Sequence, residues 1–456
     1  MSVRALQVFV QGRLVATLST EDSFNYALTY LPGVDENDFV SLTMPVRLTS
    51  WTWPALHPFF QMNLPEGFLL SLLREQLGPL LGASPLDLLT VVGSNMIGRV
   101  SLAPFPSAGA MDTVLLGEAP ALAEETLAGL LHGERSIDRF LELVNAHAAS
   151  GVSGVVPKFL TPELAATFRK ASLRTARYIL KGSSEHAPFL ALNEHLCLQI
   201  ALRAGLPAAR SQISEDGQVL EVERFDIAAD GTRLGFEDVC SLLGLAPDQK
   251  YDSSWERVAR CVFDFVAPEH SRAAAEQLAA QILLNFALGN ADCHTKNLGL
   301  LYSTRQDVRL APAYDLLSIR IYDRYVDNAP GMFLGGRKVW MPGKELPLFL
   351  QSDLGIDPPA QRRVVEQITT ALAEQMPELL RHHRETPGFT PWAARIAHEW
   401  NIGLQRIAPI LKQVPPDLAG VARAGGLEPV ETRAAPVRRV GESELLGRRG
   451  RKRRPS

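Results

Sequence analysis

The chain has 456 residues, a net charge of −4, hydrophobic residues at 46% and charged residues at 21%, the make-up of a globular protein with room for two or three packed units. No apolar run reaches the roughly 18 residues of a membrane span, and no signal-like start opens the chain. Cys197, Cys240, Cys261 and Cys293 lack the CxxC spacing of zinc sites and give no disulfide framework, so a reducing cytoplasm is the expected location.

Residues 1–50 alternate in short strands, LQVFVQG and RLVATL meeting at a Gln-Gly turn, and residues 64–82 carry a helical pattern in EGFLLSLLREQLG. A Pro-, Ala- and Gly-containing connection and a helix fill residues 100–135. A second strand-rich stretch follows, with GVSGVVPKFL (151–160), ARYILKG (176–182) and GQVLEVERFD (217–226), and PFLALNEHLCLQIALRAG (188–205) reads as one amphipathic helix between those strands. From 237 to 413 helices dominate, interrupted over 289–345. From Arg423 to Ser456 there are 10 basic and 4 acidic residues, few of the others bulky and apolar, so burial cannot offset the ordering entropy and a disordered basic tail is expected over 414–456. A solvated extension is the simplest reading of that tail, and an electrostatic arm on nucleic acid is the sharper one.

The stretch LGNADCHTKNLGLLY (288–302) holds the densest chemistry. The preceding QLAAQILLNFAL has helical spacing, so Gly289 and Asn290 mark a helix end, Asp292, His294, Lys296 and Asn297 fall in a loop, and GLLY starts a hairpin that leads to Asp315. Phosphoryl transfer requires a carboxylate at the acceptor hydroxyl, oxygen ligands for Mg²⁺ and a lysine on the β-rich side for the nucleotide phosphates. Asp292 and Asn297 have the D-x-x-x-x-N spacing of a kinase catalytic loop, Asp315 fits a second metal ligand, and Lys181 stands at the end of a strand ahead of the helix carrying Glu194, placed for a Lys–Glu ion pair. Taken singly, each has a bland reading: Asp and Asn after a helix are often caps or turn residues, and lysines are mostly solvated. GVSGVVPKFL lacks the GxxxxGK[ST] form, and Gly343-Lys344 is followed by Glu345, which disfavours a P-loop ATPase.

In order along the chain, SLTMPV (41–46), PFFQMNLPEG (58–67), DLLTVVGSNMIGRVSL (87–102), SGVVPKFL (153–160), YILKG (178–182), NEHLCLQIA (193–201), VERFD (222–226), GFEDVCSLLGL (235–245), GNADCHTKN and APAYDLLS resemble the HipA family of bacterial toxin kinases up to about residue 413. The resemblance implies an α+β, bilobal protein-kinase-like fold: a β-rich N-terminal lobe with an extra small N-terminal subdomain, and an all-helical C-terminal lobe. The implied division is 1–105 N-terminal subdomain, 106–226 kinase N-lobe, 227–413 C-lobe and 414–456 tail. Asp292 would be the catalytic base, with His294 and Lys296 completing the loop, and Asn297 and Asp315 would hold Mg²⁺. Lys181 would contact the ATP phosphates, Ser153, Gly154, Val155 and Lys158 would form the loop over them, and Glu223, Arg224 and Phe225 would be the adenine hinge through backbone groups. Autophosphorylation is implied at Ser153, with Gly151 where the family often has another serine, Ser150 as a neighbouring acceptor, and Cys293 in place of the commoner glycine.

What the family implies is a Ser/Thr protein kinase acting as a growth-arresting toxin on a protein substrate, an aminoacyl-tRNA synthetase. It would be neutralised by a HipB-type helix-turn-helix antitoxin and reach operator DNA through it. The alternative is a pseudokinase co-repressor, against which the intact Asp292, Asn297, Asp315 and Lys181 speak.

Overall fold

The computed structural model describes residues 3–21, 25–64, 84–105, 124–133, 135–150, 171–411 and 414–429. The helix expected over 64–82 therefore lies, but for its first residue, outside the described residues, as does the whole 151–160 loop.

The N-terminal unit is an antiparallel sheet in the order β4-β3-β2-β1-β5, from β1 (Ala5–Val10), β2 (Arg13–Thr20), β3 (Tyr26–Tyr30), β4 (Trp51–Trp53) and β5 (Val100–Pro104). The β1–β2 turn is the Gln11-Gly12 pair, both at positive φ (48° and 77°), the backbone of a tight hairpin turn whose twist matches the strands. Alternation along β1 sends Leu6, Val8 and Val10 into a core with Leu18, Leu28, Phe59 and Phe60. Helix α1 (Pro85–Val92) opens on a capping box of Ser84 and Asp87, and Asp87 also accepts from the Val3 N–H.

A second antiparallel sheet, order β6-β7-β9-β8, contains β6 (Ala171–Arg174), β7 (Tyr178–Gly182), β8 (Ser211–Ile213) and β9 (Val219–Glu223). Helix α2 (Leu190–Arg203) packs on it. The amphipathic pattern expected over 188–205 gives a helix buried on nearly every side, Asn193 and Glu194 included.

The remainder is a helical body built on α3 (Trp255–Phe265), α4 (Ser271–Leu288), α5 (Pro358–Glu385) and α6 (Thr390–Leu411), which share one apolar core with α2. The expectation of an all-helical region here is corrected by a three-stranded sheet, β10 (Gly235–Asp238), β11 (Gly299–Tyr302) and β12 (Arg309–Leu310), in that order. Strand β10 is short and wholly buried, so no alternation marks it in the sequence. The expected tail is also corrected: residues 414–429 are folded, with α7 (Leu418–Ala424) capped by the Asp417 carboxylate accepting from the Gly420 N–H at 2.9 Å and burying Leu418 and Ala422, and with Leu427 buried just beyond it. Three well-placed apolar side chains suffice to dock so short a helix, which composition alone did not show. Among the described residues no helix is long and apolar enough to cross a membrane, and all four cysteines are free and buried.

Candidate functional site

Helix α4 stops where the sequence places its end. Gly289 takes φ 67° and its N–H returns to the Asn285 and Phe286 carbonyls. A side chain there would also collide with the neighbouring helix, since a Cβ would fall 2.0 Å from Oε1 of the buried Glu399.

An amide ladder then fastens the 289–297 loop to α4. Asn285 donates to the Gln281 carbonyl (2.8 Å), and Asn290 donates to Oδ1 of Asn285 (2.7 Å). Oδ1 of Asn290 accepts from the Asp292 N–H (3.1 Å), and its amide nitrogen lies 3.5 Å from the Asp315 carbonyl. At the far end Nδ2 of Asn297 donates to the Asp292 carbonyl (2.9 Å), which closes the D-x-x-x-x-N loop on itself. The acceptor that the Asn297 side chain offers is its amide oxygen, the nitrogen being the donor in that bond.

The side chain of Asp292 is 27% exposed, and Nε2 of the buried His294 lies 4.0 Å from its Oδ1. The Tyr251 phenol donates to that same Oδ1, and its ring stands edge-on to His294 with centroids 4.9 Å apart. Lys296 is half-buried, its carbonyl accepting from the Tyr314 phenol at 2.8 Å. Cys293 is buried, which pushes its thiol well above the usual range and leaves it an inert packing group.

Lys181 joins three elements. Its Nζ, on β7, bonds Oε1 of Glu194 on α2 at 2.5 Å and Oδ1 of Asp315 beyond the β11–β12 hairpin. Burial pulls the ammonium down, but the facing carboxylates of Asp315 and Glu194 outweigh it, so its pKa lies above the usual lysine value. Asp315 has φ 52°, a left-handed backbone that costs a non-glycine residue about 1 kcal/mol or more and that clusters at functional sites.

Asn297 and Asp315 line one small cavity with Gln281, Asn285, Asn290, Cys293 and Tyr314. Its volume, about 10 Å³, suits a single water, and the buried Oε1 of Gln281 has no hydrogen-bond partner there. The structure thus brings Asp292, His294, Asn297, Asp315 and Lys181 into one neighbourhood. Oxygen donors from one carboxylate and one amide are the set Mg²⁺ takes together with phosphates, so the residues fit that ion.

The expected hinge is built differently in detail. The N–H groups of Glu223 and Arg224 donate to the Arg210 and Arg177 carbonyls, both at 2.9 Å. The Arg224 side chain is wholly buried, bonded to both oxygens of Asp226 and to the Thr175 carbonyl, while Asp226 also accepts from the Gly98 N–H of the N-terminal unit. Arg224 is therefore a strut. Phe225 is half-buried against the rings of Phe236 and Tyr314. Ser153, Gly154, Val155 and Lys158 lie outside the described residues. Tyr251, Tyr314 and the Gln281–Asn285 pair were missed by sequence reasoning; only the 3.6-residue spacing that puts Gln281 and Asn285 on one face of α4 gave a signal, and nothing local marks Tyr251.

Comparison with known proteins identifies the family. Residues 6–103 match the HipA N-terminal domain and residues 150–378 the HipA-like C-terminal domain. The chain belongs to the HipA family. A Sinorhizobium fredii protein provisionally named a kinase, Y4mE, is 28% identical over 422 residues, covering 87% of this chain and 96% of its own length. Another from the same organism, Y4dM, also provisionally named a kinase, is 33% identical over 136 residues, 30% of this chain and 32% of its own. The HipA chain in the Shewanella oneidensis complex of HipA, HipB and operator DNA superposes with a TM-score of 0.63 at 19% identity, covering 89% of this chain and 97% of that one. The mixed helix-and-sheet fold is thus the HipA fold.

Proposed function

We propose that this protein is an ATP-dependent Ser/Thr protein kinase and the toxin of a toxin–antitoxin pair. The observation that carries this is the bridge from Lys181 to Glu194 and Asp315, set beside the Asp292–Asn297 loop. Its parts are those phosphoryl transfer requires. The sheet β6–β9 with the 106–226 region would be the nucleotide-side lobe, the helical body with its three-stranded sheet the other, and residues 1–105 a separate subdomain.

In this reading Asp292 accepts the proton of a substrate Ser or Thr hydroxyl as its oxygen forms a bond to the γ-phosphorus and the bond to the β–γ bridging oxygen breaks, releasing ADP. Mg²⁺, held by Asn297 and Asp315, would neutralise phosphate charge. Lys181 exchanges part of its pairing with Asp315 for the ATP phosphates, and Glu194 keeps it aimed. His294 and Lys296 shape the loop at the transferred phosphate. Ser153, Gly154, Val155 and Lys158 would cover the phosphates, with Ser153 as the self-modification site, and the adenine would lie against Phe225 at the Glu223–Phe225 segment.

The Shewanella complex supports a HipB-type antitoxin as partner, with operator DNA reached through it, and an aminoacyl-tRNA synthetase as the protein substrate would couple activity to growth arrest. The test is expression of wild type, Asp292→Asn and Asp315→Asn, with transfer from γ-labelled ATP and growth measured together. Both variants should stay folded and lose transfer and toxicity. Growth arrest by a folded Asp292→Asn protein would refute the kinase account of toxicity.

A further inference from the structure

We propose that Gln281 is a positioning residue of the metal site: its side-chain oxygen holds a buried water in the cavity beside Asn297 and Asp315, and that water steadies the two ligands. The inference rests on Asn297 and Asp315 being the Mg²⁺ ligands.

Gln281 lies within α4, 3% exposed, and Leu278, Ile282 and Leu284 of the same helix are buried with it. An apolar side chain would fit such a setting without desolvating an amide. Instead the buried Oε1 of Gln281 has no hydrogen-bond partner among the described residues, and the side chain lines the cavity of about 10 Å³ that it shares with Asn285, Asn290, Asn297 and Asp315. A cavity of this size takes one water where two or more polar groups receive it.

The lining distinguishes a water from a cation. Nδ2 of the buried Asn290 donates to Oδ1 of Asn285 at 2.7 Å, whereas the Asp315 carbonyl lies 3.5 Å from that nitrogen, beyond the roughly 2.7–3.2 Å of a good N–H···O bond. The second hydrogen of the Asn290 amide is therefore poorly used by protein. The cavity offers a donor as well as an acceptor, and a cation would be repelled by the donor. A water accepts from Asn290 and donates to Gln281. Its other hydrogen goes to a side-chain oxygen of Asn297 or Asp315, and a carboxylate already bonded to Lys181 can still accept it. Outer partners of this kind fix the direction of metal ligands and raise affinity for the ion.

The experiment uses the full-length chain with a non-hydrolysable ATP analogue and Mn²⁺ as a paramagnetic substitute for Mg²⁺, titrated by electron paramagnetic resonance, for wild type, Gln281→Met and Asp315→Asn. Methionine keeps the length of the side chain and removes both polar atoms. The Mn²⁺ affinity of folded Gln281→Met should fall about tenfold, the low end for loss of an outer partner. Unchanged affinity overturns the proposal whatever the denaturant midpoint does: a higher midpoint marks Oε1 as an unpaired acceptor, and a lower one marks the residue as structural only. Should Gln281→Met fail to fold, a wild-type crystal structure that resolves ordered waters decides. One is expected within hydrogen-bond distance of both Gln281 Oε1 and Asn290 Nδ2; an Oε1 bonded directly to protein, or no ordered water there, overturns the proposal. Asp315→Asn separates the two readings: if it binds Mn²⁺ with nucleotide as tightly as wild type, or wild type binds no Mn²⁺, the ligand assignment fails and takes this inference with it. A weakened Asp315→Asn beside an unimpaired Gln281→Met removes only the role of Gln281.

Discussion

Glu237 of β10, fully buried in the helical body, accepts the backbone N–H of Leu42 in the N-terminal unit at 2.7 Å. The same carboxylate accepts from the Ser41 and Tyr302 hydroxyls, each at 2.7 Å, so one acid holds the two parts together. Burial raises its pKa from 4.5 to about 7 against the lowering effect of those donors.

That shift gives the first prediction. A folded-state pKa above the unfolded one means the fold holds the proton more tightly, so this contribution is complete below pH 4.5 and is lost as the pH rises through 7. The full effect is on the order of 3 kcal/mol. Glu237→Gln keeps an acceptor oxygen for Leu42 and Tyr302 and removes the ionisation. Melting temperatures from pH 5 to pH 8 should fall for wild type and fall less for Glu237→Gln; parallel curves would assign the decline to other groups.

Gly331 gives the second. A Cβ there would lie 2.3 Å from the Cys293 carbonyl oxygen and 3.1 Å from that of Ala291, both backbone atoms of the loop holding Asp292. Neither can yield without moving the loop. Gly331→Ala should cost about 1–3 kcal/mol in stability and reduce phosphoryl transfer by more than stability alone explains, read from turnover at a temperature where circular dichroism shows the variant folded.

The third concerns Asn290, buried and bonded to both Asn285 and the Asp292 N–H. Asn290→Ala leaves buried polar atoms on α4 and in the loop without their partner, at about 1–3 kcal/mol. Denaturant unfolding should show a lower midpoint with an unchanged slope. An unaltered midpoint would mean water replaces the amide.

Legibility in the sequence tracked distance along the chain. The Gln11-Gly12 hairpin, the helix end at Gly289 and the β11–β12 hairpin are each made by residues close together along the chain, and the sequence pattern predicts them. The Lys181–Glu194 pair was within reach for the same reason, a strand leading directly into a helix. Strand β10 pairs with β11 some sixty residues later, its four positions all buried, so neither alternation nor a turn announces it. Tyr251 meets Asp292 only because the chain folds back across α3 and α4. Arg224 sits in the quoted VERFD motif, yet its role as a buried strut depends on Asp226 and the Gly98 N–H, the latter supplied from the other end of the molecule.

The last prediction separates what Lys181 does for the fold from what it does for chemistry. The Glu194 side chain is 3% exposed, Lys181 20% and Asp315 28%, so the ammonium offsets carboxylate charge in a partly dry setting. Lys181→Met takes that cation from both acids and should cost a few kcal/mol, about 3 as an upper figure because the pair to Asp315 retains solvent. Adding Glu194→Gln removes the buried negative charge and should restore part of the loss, a coupling that a double-mutant cycle in denaturant measures directly. Nucleotide binding should follow a different course: if Lys181 holds the ATP phosphates, the single and the double variant both lose affinity for Mg-ATP by calorimetry, although the double variant is the more stable. Recovery of ATP affinity together with stability would show that Lys181 acts only through the fold, and the phosphate contact would then have to come from another cation.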